Sequence, residues 1–292
     1  MSNKPRKMTL EKKHNLTGWA FLAPATFLIA VFSFWPMIKA LVLSFQTGKG
    51  RNMQMAGFTN YIRMFQDDVF IQSIKNTFFY FIIQVPIMLV VALVLACILN
   101  KKDLRFKGFF RTMIFVPCTT SLVAYSIIFR SLFANNGLVN LGILDKPYNF
   151  LTQPFAAKMV ILLGLLWRWT GYNMVFFLSG LQNIEYSVYE AAKIDGASAI
   201  QTFFKITVPL LKPTILLTAI MSTNGTLQLF DESINLTDGG PANASISMSH
   251  YIYNLCFKYV PNFGYAAAMS FFILLLVAVL AFIQMRVGDK RD

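Results

Sequence analysis

The chain contains six apolar segments that are each long enough, or nearly long enough, to cross a lipid bilayer. A helix needs about 20 apolar residues to span about 30 Å of hydrocarbon. Hydrophobic residues make up 56% of the 292 residues and charged residues only 13%, a composition too apolar for an ordinary soluble domain. The sequence therefore predicts an all-α membrane protein with six transmembrane helices. The segments are 16–37, 78–99, 109–133, 156–181, 213–230 and 265–285.

The distribution of Lys and Arg predicts the orientation of these helices. Sixteen of the 26 basic residues fall on the side of the two termini, seven fall on the opposite side, and three lie inside or near the apolar segments. Lys and Arg accumulate in cytoplasmic connections, so we expect both termini in the cytoplasm. Residues 1–15 would form a basic cytoplasmic tail, and residues 16–292 would form one transmembrane domain. The formal net charge of +13 then reflects topology and anionic lipid, and not nucleic-acid binding.

The connection between the fourth and fifth segments, residues 182–212, is rich in helix signals. Ser187 stands three residues before Glu190, and Ser198 stands three residues before Gln201. This spacing predicts two capping boxes and so two helix starts. Gly196 lies between them, where a short helix can end and the chain can turn. We therefore expect a helix, a turn and a second helix on the cytoplasmic side of the membrane.

The spacing within this connection resembles the coupling loop of permease subunits of bacterial binding-protein-dependent ABC importers. Val208 stands where that family often has Leu before the last Pro. The run Thr-Asp-Gly-Gly-Pro at 237–241 is similar to an external loop of the sugar-transporting, maltose-permease-like branch. The resemblance implies the type I ABC importer permease fold and a place in the bacterial inner membrane. The matching coupling-loop residues are Glu190, Ala191, Ala192, Gly196, Ile206 and Pro209.

The resemblance also implies a function and a set of partners. The chain would be the permease subunit of an ATP-driven importer that receives a carbohydrate, an oligosaccharide or related sugar, from an extracytoplasmic binding protein. A second, homologous permease would complete the pore. Two ATP-binding subunits would carry ATP and Mg²⁺, so this chain would hold no cofactor. The loop 187–209 would dock on an ATPase through Glu190, Ala191, Ala192, Asp195, Gly196, Ile206 and Pro209. From the residues alone, Glu190 has a second interpretation as the capping partner of Ser187.

Sequence patterns typical of catalysis and metal binding are missing. The run Gly48-Lys49-Gly50 lacks the preceding Gly and the following Ser or Thr of a phosphate-binding loop. His14 and His250 are the only histidines, and neither has a Cys, Asp or Glu neighbour at ligand spacing. The three cysteines show neither disulfide nor metal spacing. We therefore expect a non-catalytic subunit without a metal site.

Polar residues inside the predicted helices indicate a path for a polar solute. Polar groups deep in a bilayer tend to face a bundle interior or water. Three such residues near the end of the fifth segment recur at steps of four and three, and three in the fourth segment lie at i, i+3 and i+4, so each set shares one helical face. The alternative is that these side chains bond neighbouring helices. The predicted path residues are Gln84, Arg168, Trp169, Tyr172, Asn173, Asn224, Gln228 and Asp231.

Arg168 lies about halfway along its apolar segment, so it needs a carboxylate, backbone carbonyls or a watery cavity beside it. Asp231 and Glu232 are the candidate carboxylates, and a free guanidinium would suit an anionic cargo such as a sugar acid. The same charges leave a second function open, in which Asp231 and Arg168 form the ion relay of a gradient-driven secondary transporter of a small polar solute. A third alternative is a membrane anchor whose cytoplasmic loop recruits a partner.

Overall fold

The computed structural model describes residues 10–49, 52–101, 103–142 and 148–288. Residues 1–9 of the predicted basic tail lie outside the described residues, as do five cations counted in the orientation: Arg51, Lys102, Lys146, Lys290 and Arg291. The described part is mainly helical. Its helices are α1 (Leu10–Ile29), α2 (Trp35–Ser44), α3 (Thr59–Met64), α4 (Asp68–Asn100), α5 (Lys107–Thr119), α6 (Leu122–Leu132), α7 (Leu138–Gly142), α8 (Pro154–Gln182), α9 (Tyr186–Ile194), α10 (Ala199–Thr202), α11 (Val208–Leu210), α12 (Lys212–Leu227), α13 (Met248–Tyr253) and α14 (Phe263–Gly288).

Shorter elements connect these helices. Strand β1 (Gln46–Lys49) pairs antiparallel with β2 (Asn52–Met55) to form a hairpin between α2 and α3. Within the described residues, short stretches of π-helix join or extend the α-helices at four places: Ala30–Phe34, Phe203–Thr207, Ser233–Thr237 and Asn254–Lys258.

Within the described residues, four helices are long and apolar enough to cross a membrane. They are Thr17–Ser44, which runs from within α1 through the π-helical stretch Ala30–Phe34 to the end of α2, together with α4, α8 and α14. Two bent pairs raise the number to six if each pair is one span: α5 with α6, and the stretch Ala199–Leu210 with α12. All six predicted segments therefore coincide with helices. Helix α1 begins at Leu10, inside the predicted tail.

The prediction of one continuous third helix over 109–133 is wrong. Helices α5 and α6 meet at an angle of 97°. Pro117, near the end of α5, has no N–H with which to continue the helical ladder. The hydroxyls of Thr119 and Thr120 both donate to the Val116 carbonyl, at 2.8 and 3.2 Å, and such bonds compete with the backbone bonds of a helix. The fifth helix also ends earlier than predicted, at Leu227.

Helices α4 and α8 pack along each other at the centre of the fold. Ala92 and Ala96, one turn apart on α4, are fully buried beside Met174 and Phe177 of α8. Small residues at such positions let two helix backbones approach closely. Helix α12 packs beside this pair, α14 packs on α12 and α2, and α5 packs on α8. The α4–α8 pair is therefore the centre of the helix packing.

Asp67 joins three separate parts of the chain. Its Oδ1 accepts hydrogen bonds from the backbone N–H groups of Val69 and Phe70, at 3.0 and 3.2 Å, and so caps α4. Its Oδ2 accepts from the hydroxyls of Tyr251 and Tyr265, at 2.7 and 2.8 Å. The cap explains why α4 begins at residue 68, ten residues before the predicted start at 78.

We expect the substitution Asp67→Asn to lower the free energy of unfolding by about 2 kcal/mol. The amide keeps one oxygen for the cap, but its NH₂ group cannot accept from two tyrosine hydroxyls, and bonds to a charged acceptor contribute roughly 1.5–3 kcal/mol each. Thermal unfolding of the purified protein in detergent measures the loss. The neighbouring Asp68 is exposed, so Asp68→Asn is the matched control. Equal stability of the two variants would contradict the role of Asp67.

Candidate functional site

A cavity of about 590 Å³ lies among α4, α8, α12 and the segment that follows α12. This volume falls within the range of small-molecule sites, roughly 300–1,000 Å³. Its wall combines apolar, aromatic, amide, hydroxyl and charged side chains. The lining residues are Gln84, Met88, Leu122, Leu165, Arg168, Trp169, Tyr172, Asn173, Met221, Ser222, Asn224, Gly225, Thr226, Gln228, Leu229, Phe230, Asp231 and Glu232.

All eight residues of the predicted solute path lie on the wall of this one cavity. The helical spacing explains how the sets within α8 and around the end of α12 reach it together. Gln84 joins them from α4, because α4 packs against both of those helices. The structure thus brings the predicted residues together. Their contact with a solute stays a prediction.

Two of these amides bond neighbouring helices, as the alternative interpretation proposed. The Thr226 hydroxyl donates to Oε1 of Gln84 at 2.8 Å, which links α12 to α4. The Ser222 hydroxyl donates to Oδ1 of Asn173 at 3.2 Å, which links α12 to α8. Both amides are buried, with 2% and 3% of their surfaces exposed. Gln84 and Asn173 therefore hold the cavity wall in shape.

Four other residues of the wall are more accessible. The Gln228 amide donates to Oδ1 of Asn224, and both side chains are exposed. Trp169 and Tyr172 meet edge to face, with ring centroids 5.8 Å apart, and both are partly exposed. Amides and hydroxyls can donate and accept hydrogen bonds, and aromatic faces can cover apolar surface. This combination suits a solute that is polar at its edge and apolar on its face.

The cavity wall also contains two buried charged residues, Arg168 and Glu232. Arg168 is 6% exposed, and its Nε and Nη1 have no hydrogen-bond partner. Its guanidinium carbon lies 5.4 Å from the ring centroid of Tyr125 and 5.5 Å from that of Trp169. Glu232 is 4% exposed, and its Oε1 also lacks a partner. In the part of the chain that the structure describes, no salt bridge connects Arg168 to Asp231 or Glu232.

Sequence reasoning named Glu232 only as a partner for Arg168 and missed the rest of the lining. The missed signal is the polar run around residue 222, because Ser222 and Thr226 are one turn apart and face the same side of α12.

Trp167 lies on the other side of α8, where its ring stacks on Tyr125 with the ring centroids 6.0 Å apart.

The connection after α8 forms the predicted hairpin of helices. Helix α9 ends at a Schellman turn, because Ala197 N–H donates to the Ala192 carbonyl at 2.9 Å and Gly196 N–H donates to the Lys193 carbonyl at 3.2 Å. Gly196 adopts φ +74°, which confirms the predicted turn. The chain then re-enters helix at α10 and continues to α11.

Of the two predicted capping boxes, one is confirmed and one is wrong. Ser198 accepts from Gln201 N–H at 3.2 Å, and the Gln201 side chain accepts from Ser198 N–H at 2.8 Å. At the start of α9 the capping position is Glu185, and the Ser187 hydroxyl donates to Glu185 Oε2 at 3.3 Å. The helix starts two residues earlier than the Ser187 box requires, so Glu190 does not act as the partner of Ser187.

The predicted coupling residues differ in exposure. Glu190, Ala191, Asp195, Gly196 and Pro209 are exposed, and Ile206 is half-buried. Ala192 is 6% exposed and packs within its own chain, so it does not present the outward surface expected of it.

The hairpin also exposes large apolar side chains that the sequence analysis did not single out. Ile194 is 85% exposed, Ile200 71% and Phe204 65%. Ile200 and Phe204 are four residues apart and share a helical face. Exposed apolar groups of this size mark surfaces that a partner or lipid covers.

At the other end of α12, His250 is buried in a polar cluster. It is 0% exposed, its Nδ1 lies 2.9 Å from the Ser233 hydroxyl, and its Nε2 lies 3.7 Å from Asp238. Lys258 donates to both oxygens of Asp238 at 2.9 and 3.0 Å. Burial lowers the pKa of His250 from 6.5 to about 4, Asp238 raises it, and Lys258 lowers it further.

This pKa predicts acid-sensitive folding. Between pH 6.5 and 4 the unfolded chain binds a proton at His250 and the folded chain does not, so stability falls as the pH falls through this window. The full loss is about 3 kcal/mol. Unfolding measured at pH 7.5 and at pH 4 checks it, with His250→Gln as the control that cannot titrate. A variant with the same acid loss as the natural protein would contradict the prediction.

Comparison with known proteins adds sequence and fold relationships. The pattern of the family described as binding-protein-dependent transport system inner membrane component matches residues 68–291. The lactose transport system permease protein LacF of Rhizobium radiobacter is 50% identical over 292 residues, covering 98% of each chain. The arabinooligosaccharides transport system permease protein AraP of Bacillus subtilis (strain 168) is 31% identical over 280 residues, covering 93% of this chain and 88% of AraP.

Two solved structures share the fold. A chain from a bacterial ABC transporter involved in the import of the acidic polysaccharide alginate superposes with a TM-score of 0.83 at 23% identity, covering 97% of this chain and 98% of that chain. A chain from the alginate ABC transporter in complex with alginate pentasaccharide-bound periplasmic protein gives 0.82 at 24% identity, covering 96% of each. At these identities the likeness concerns the fold alone.

Proposed function

Because the chain belongs to the family of inner membrane components of binding-protein-dependent transport systems, we propose that it forms part of the translocation path for an oligosaccharide. A solute-binding protein outside the membrane delivers the sugar. A second permease completes the pore, and two ATP-binding subunits with their Mg²⁺ supply the hydrolysis, while this chain itself is not an enzyme. The termini and the α9–α11 hairpin lie in the cytoplasm.

The cavity among α4, α8 and α12 is the observation that carries this proposal. It combines the exposed amides of Asn224 and Gln228 with the rings of Trp169 and Tyr172. A sugar ring needs hydrogen-bond donors and acceptors around its edge and an aromatic surface against its C–H face. The sugars in the names of LacF and AraP, lactose and arabinooligosaccharides, are the cargo class this wall fits.

The α9–α11 hairpin supports docking on an ATP-binding subunit. It carries exposed Ile194, Ile200 and Phe204 beside the acidic Glu190 and Asp195. An apolar centre with charged neighbours is the usual composition of a protein interface. The Schellman turn at Gly196 fixes the angle between its two helices, so a movement of the ATPase is transmitted to α12 through a stiff connection.

Reconstitution tests the proposal. The chain is purified with its partner permease and ATPases and placed in proteoliposomes with lactose as the first probe and arabinooligosaccharides as the second. We expect the sugar-loaded binding protein to raise ATP hydrolysis and sugar uptake together. The controls are the same complex without binding protein and the same complex with binding protein that carries no sugar.

The alternative function, a gradient-driven secondary transporter, is tested in the same proteoliposomes with an ion gradient and without ATP. Sugar uptake driven by a proton or sodium gradient, in the absence of ATP, would overturn the proposal. Dependence on ATP and on the binding protein would support it, because a secondary transporter needs neither.

A further inference from the structure

The connection between α4 and α5 is strongly basic. Residues 101–112 contain five Lys and Arg residues against one acidic residue, Asp103. The connection lies at the same end of the fold as the α9–α11 hairpin, because Leu99 and Leu104 pack in one cluster with Leu181 and Leu211. We propose that the connection and the first turns of α5 bind an anionic phospholipid of the cytoplasmic leaflet. The proposal takes from the proposed function only the orientation of the chain.

The cations of the connection differ in exposure. Lys101 and Arg105 are exposed, and Lys107 is half-buried. Arg111 is half-buried as well, and its Nη2 donates to the Leu99 carbonyl at 3.2 Å. That hydrogen bond ties the start of α5 to the last turn of α4. Arg111 therefore holds the connection in place, and the outer cations are available to a headgroup.

Large apolar side chains accompany these cations. Phe106, which precedes α5, is 78% exposed, and Phe109 is 59% exposed. Phe109, Phe110 and Met113 share one face of α5, and all three are exposed. Together with Phe106 they form the α5 patch, while the other face of α5 packs on α8. Aromatic residues at the end of a membrane span lie at the level of the headgroups, so the neighbouring cations lie near the phosphates.

The start of α5 adds to this positive charge. Phe106 occupies the N-cap position, and its side chain makes no capping hydrogen bond. A Cβ on Gly108 would meet nothing within 4 Å, so the space beside the first turn is open. The N-terminal end of a helix carries a partial positive charge that favours phosphate groups. The helix and the side chains of the connection therefore attract the same group.

Charge favours a lipid over an ATP-binding subunit as the occupant of this surface. The hairpin region, residues 182–212, has three basic and three acidic residues, whereas the connection has five against one. A basic cluster directly cytoplasmic of a membrane span is typical of binding to anionic lipid. One anionic phospholipid supplies acyl chains that cover the α5 patch and a negative charge that pairs with Lys101 and Arg105.

Tryptophan quenching tests the proposal at this surface. Phe109→Trp places an indole in the α5 patch, and the complex of this chain with its partner permease and ATPases is placed in nanodiscs of phosphatidylcholine. One series adds phosphatidylglycerol with brominated acyl chains, and the reference series adds brominated phosphatidylcholine. The quenching that Phe109→Trp adds to that of the natural complex reports the lipid beside residue 109. We expect phosphatidylglycerol to be preferred by about tenfold or more, because each exposed cation contributes about fivefold.

Charge variants assign the preference to the connection. In the Phe109→Trp background, Arg105→Gln should reduce the preference for phosphatidylglycerol by about fivefold. Lys101→Gln combined with Arg105→Gln should bring the preference below about twofold. Both positions are exposed, so the variants keep the fold. Lys12→Gln is the matched control, because it removes one positive charge from the exposed start of α1 and should leave the preference unchanged.

The outcomes decide between a lipid and the other occupants. Equal quenching by the two lipids, or an unchanged preference in the double variant, overturns the proposal. Absence of added quenching by either lipid also overturns it, because a protein subunit then covers the α5 patch. Loss of the preference when inorganic phosphate is added at constant ionic strength overturns it in favour of a soluble phosphate. ATP-dependent sugar uptake by the same variants tests the proposed function separately.

A preference for phosphatidylglycerol that the double variant removes and Lys12→Gln keeps supports the proposal.

Discussion

Replacement of Gly171 with alanine is expected to lower the free energy of unfolding by about 3 kcal/mol and to reduce the yield of folded protein sharply. A Cβ at this position would lie 1.9 Å from the carbonyl oxygen of Ile114 and 2.8 Å from its carbonyl carbon. Both atoms belong to the backbone of α5, so no side-chain rotation relieves the clash. Helices α5 and α8 must separate, and overpacking of this kind costs typically 1–3 kcal/mol or more.

Helix propensity acts in the opposite direction but is smaller. Alanine is preferred over glycine inside a helix by about 1 kcal/mol, so a position without the clash gains stability from the same change. Gly108 provides that control, because a Cβ there meets nothing within 4 Å. Thermal unfolding of both variants in detergent measures the difference. If Gly171→Ala is as stable as Gly108→Ala, the close approach of α5 and α8 is not part of the folded protein.

Replacement of Gly196 with valine is expected to uncouple transport from ATP hydrolysis. A Cβ at Gly196 has free space around it, so the effect comes from the backbone conformation and not from a clash. The residue has φ +74°, a left-handed conformation that costs an L-residue about 1–2 kcal/mol and is least accessible to β-branched side chains. The Schellman turn then opens, and the angle between α9 and α10 is lost.

Transport and hydrolysis are measured together in the reconstituted complex. We expect sugar uptake to fall at least tenfold, while hydrolysis loses its response to the loaded binding protein. Gly196→Asn is the matched control, because asparagine adopts the left-handed conformation more readily and should retain most of the coupling. Normal coupling in the valine variant would show that the turn does not transmit the movement.

Local patterns predicted the helices and the turn well. All six apolar segments are helical, the third as two helices that meet at 97°, because a bilayer span is a property of consecutive residues and of no distant contact. The capping box at Ser198 and the turn at Gly196 were also predicted correctly, because each depends only on residues a few positions apart. The Ser187 box failed because α9 begins two residues earlier than it requires, with Glu185 at the N-cap position and no side-chain hydrogen bond to cap the helix.

The amino-acid sequence by itself determined which residues share a helical face, and so it predicted two sets of three side chains, one in α8 and one around the end of α12, that now lie on one cavity wall. Tertiary packing decided what those side chains do there. Asn173 and Gln84 bond α12, and Arg168 packs over the Tyr125 ring of α6, because each outcome depends on a neighbour from another helix. Asp67 and Ala192 could not be interpreted from the sequence for the same reason. The carboxylate of Asp67 accepts hydrogen bonds from two tyrosines far away in the chain, and the burial of Ala192 likewise depends on tertiary packing. Helical period is encoded in adjacent residues, whereas burial and pairing exist only after the helices have packed.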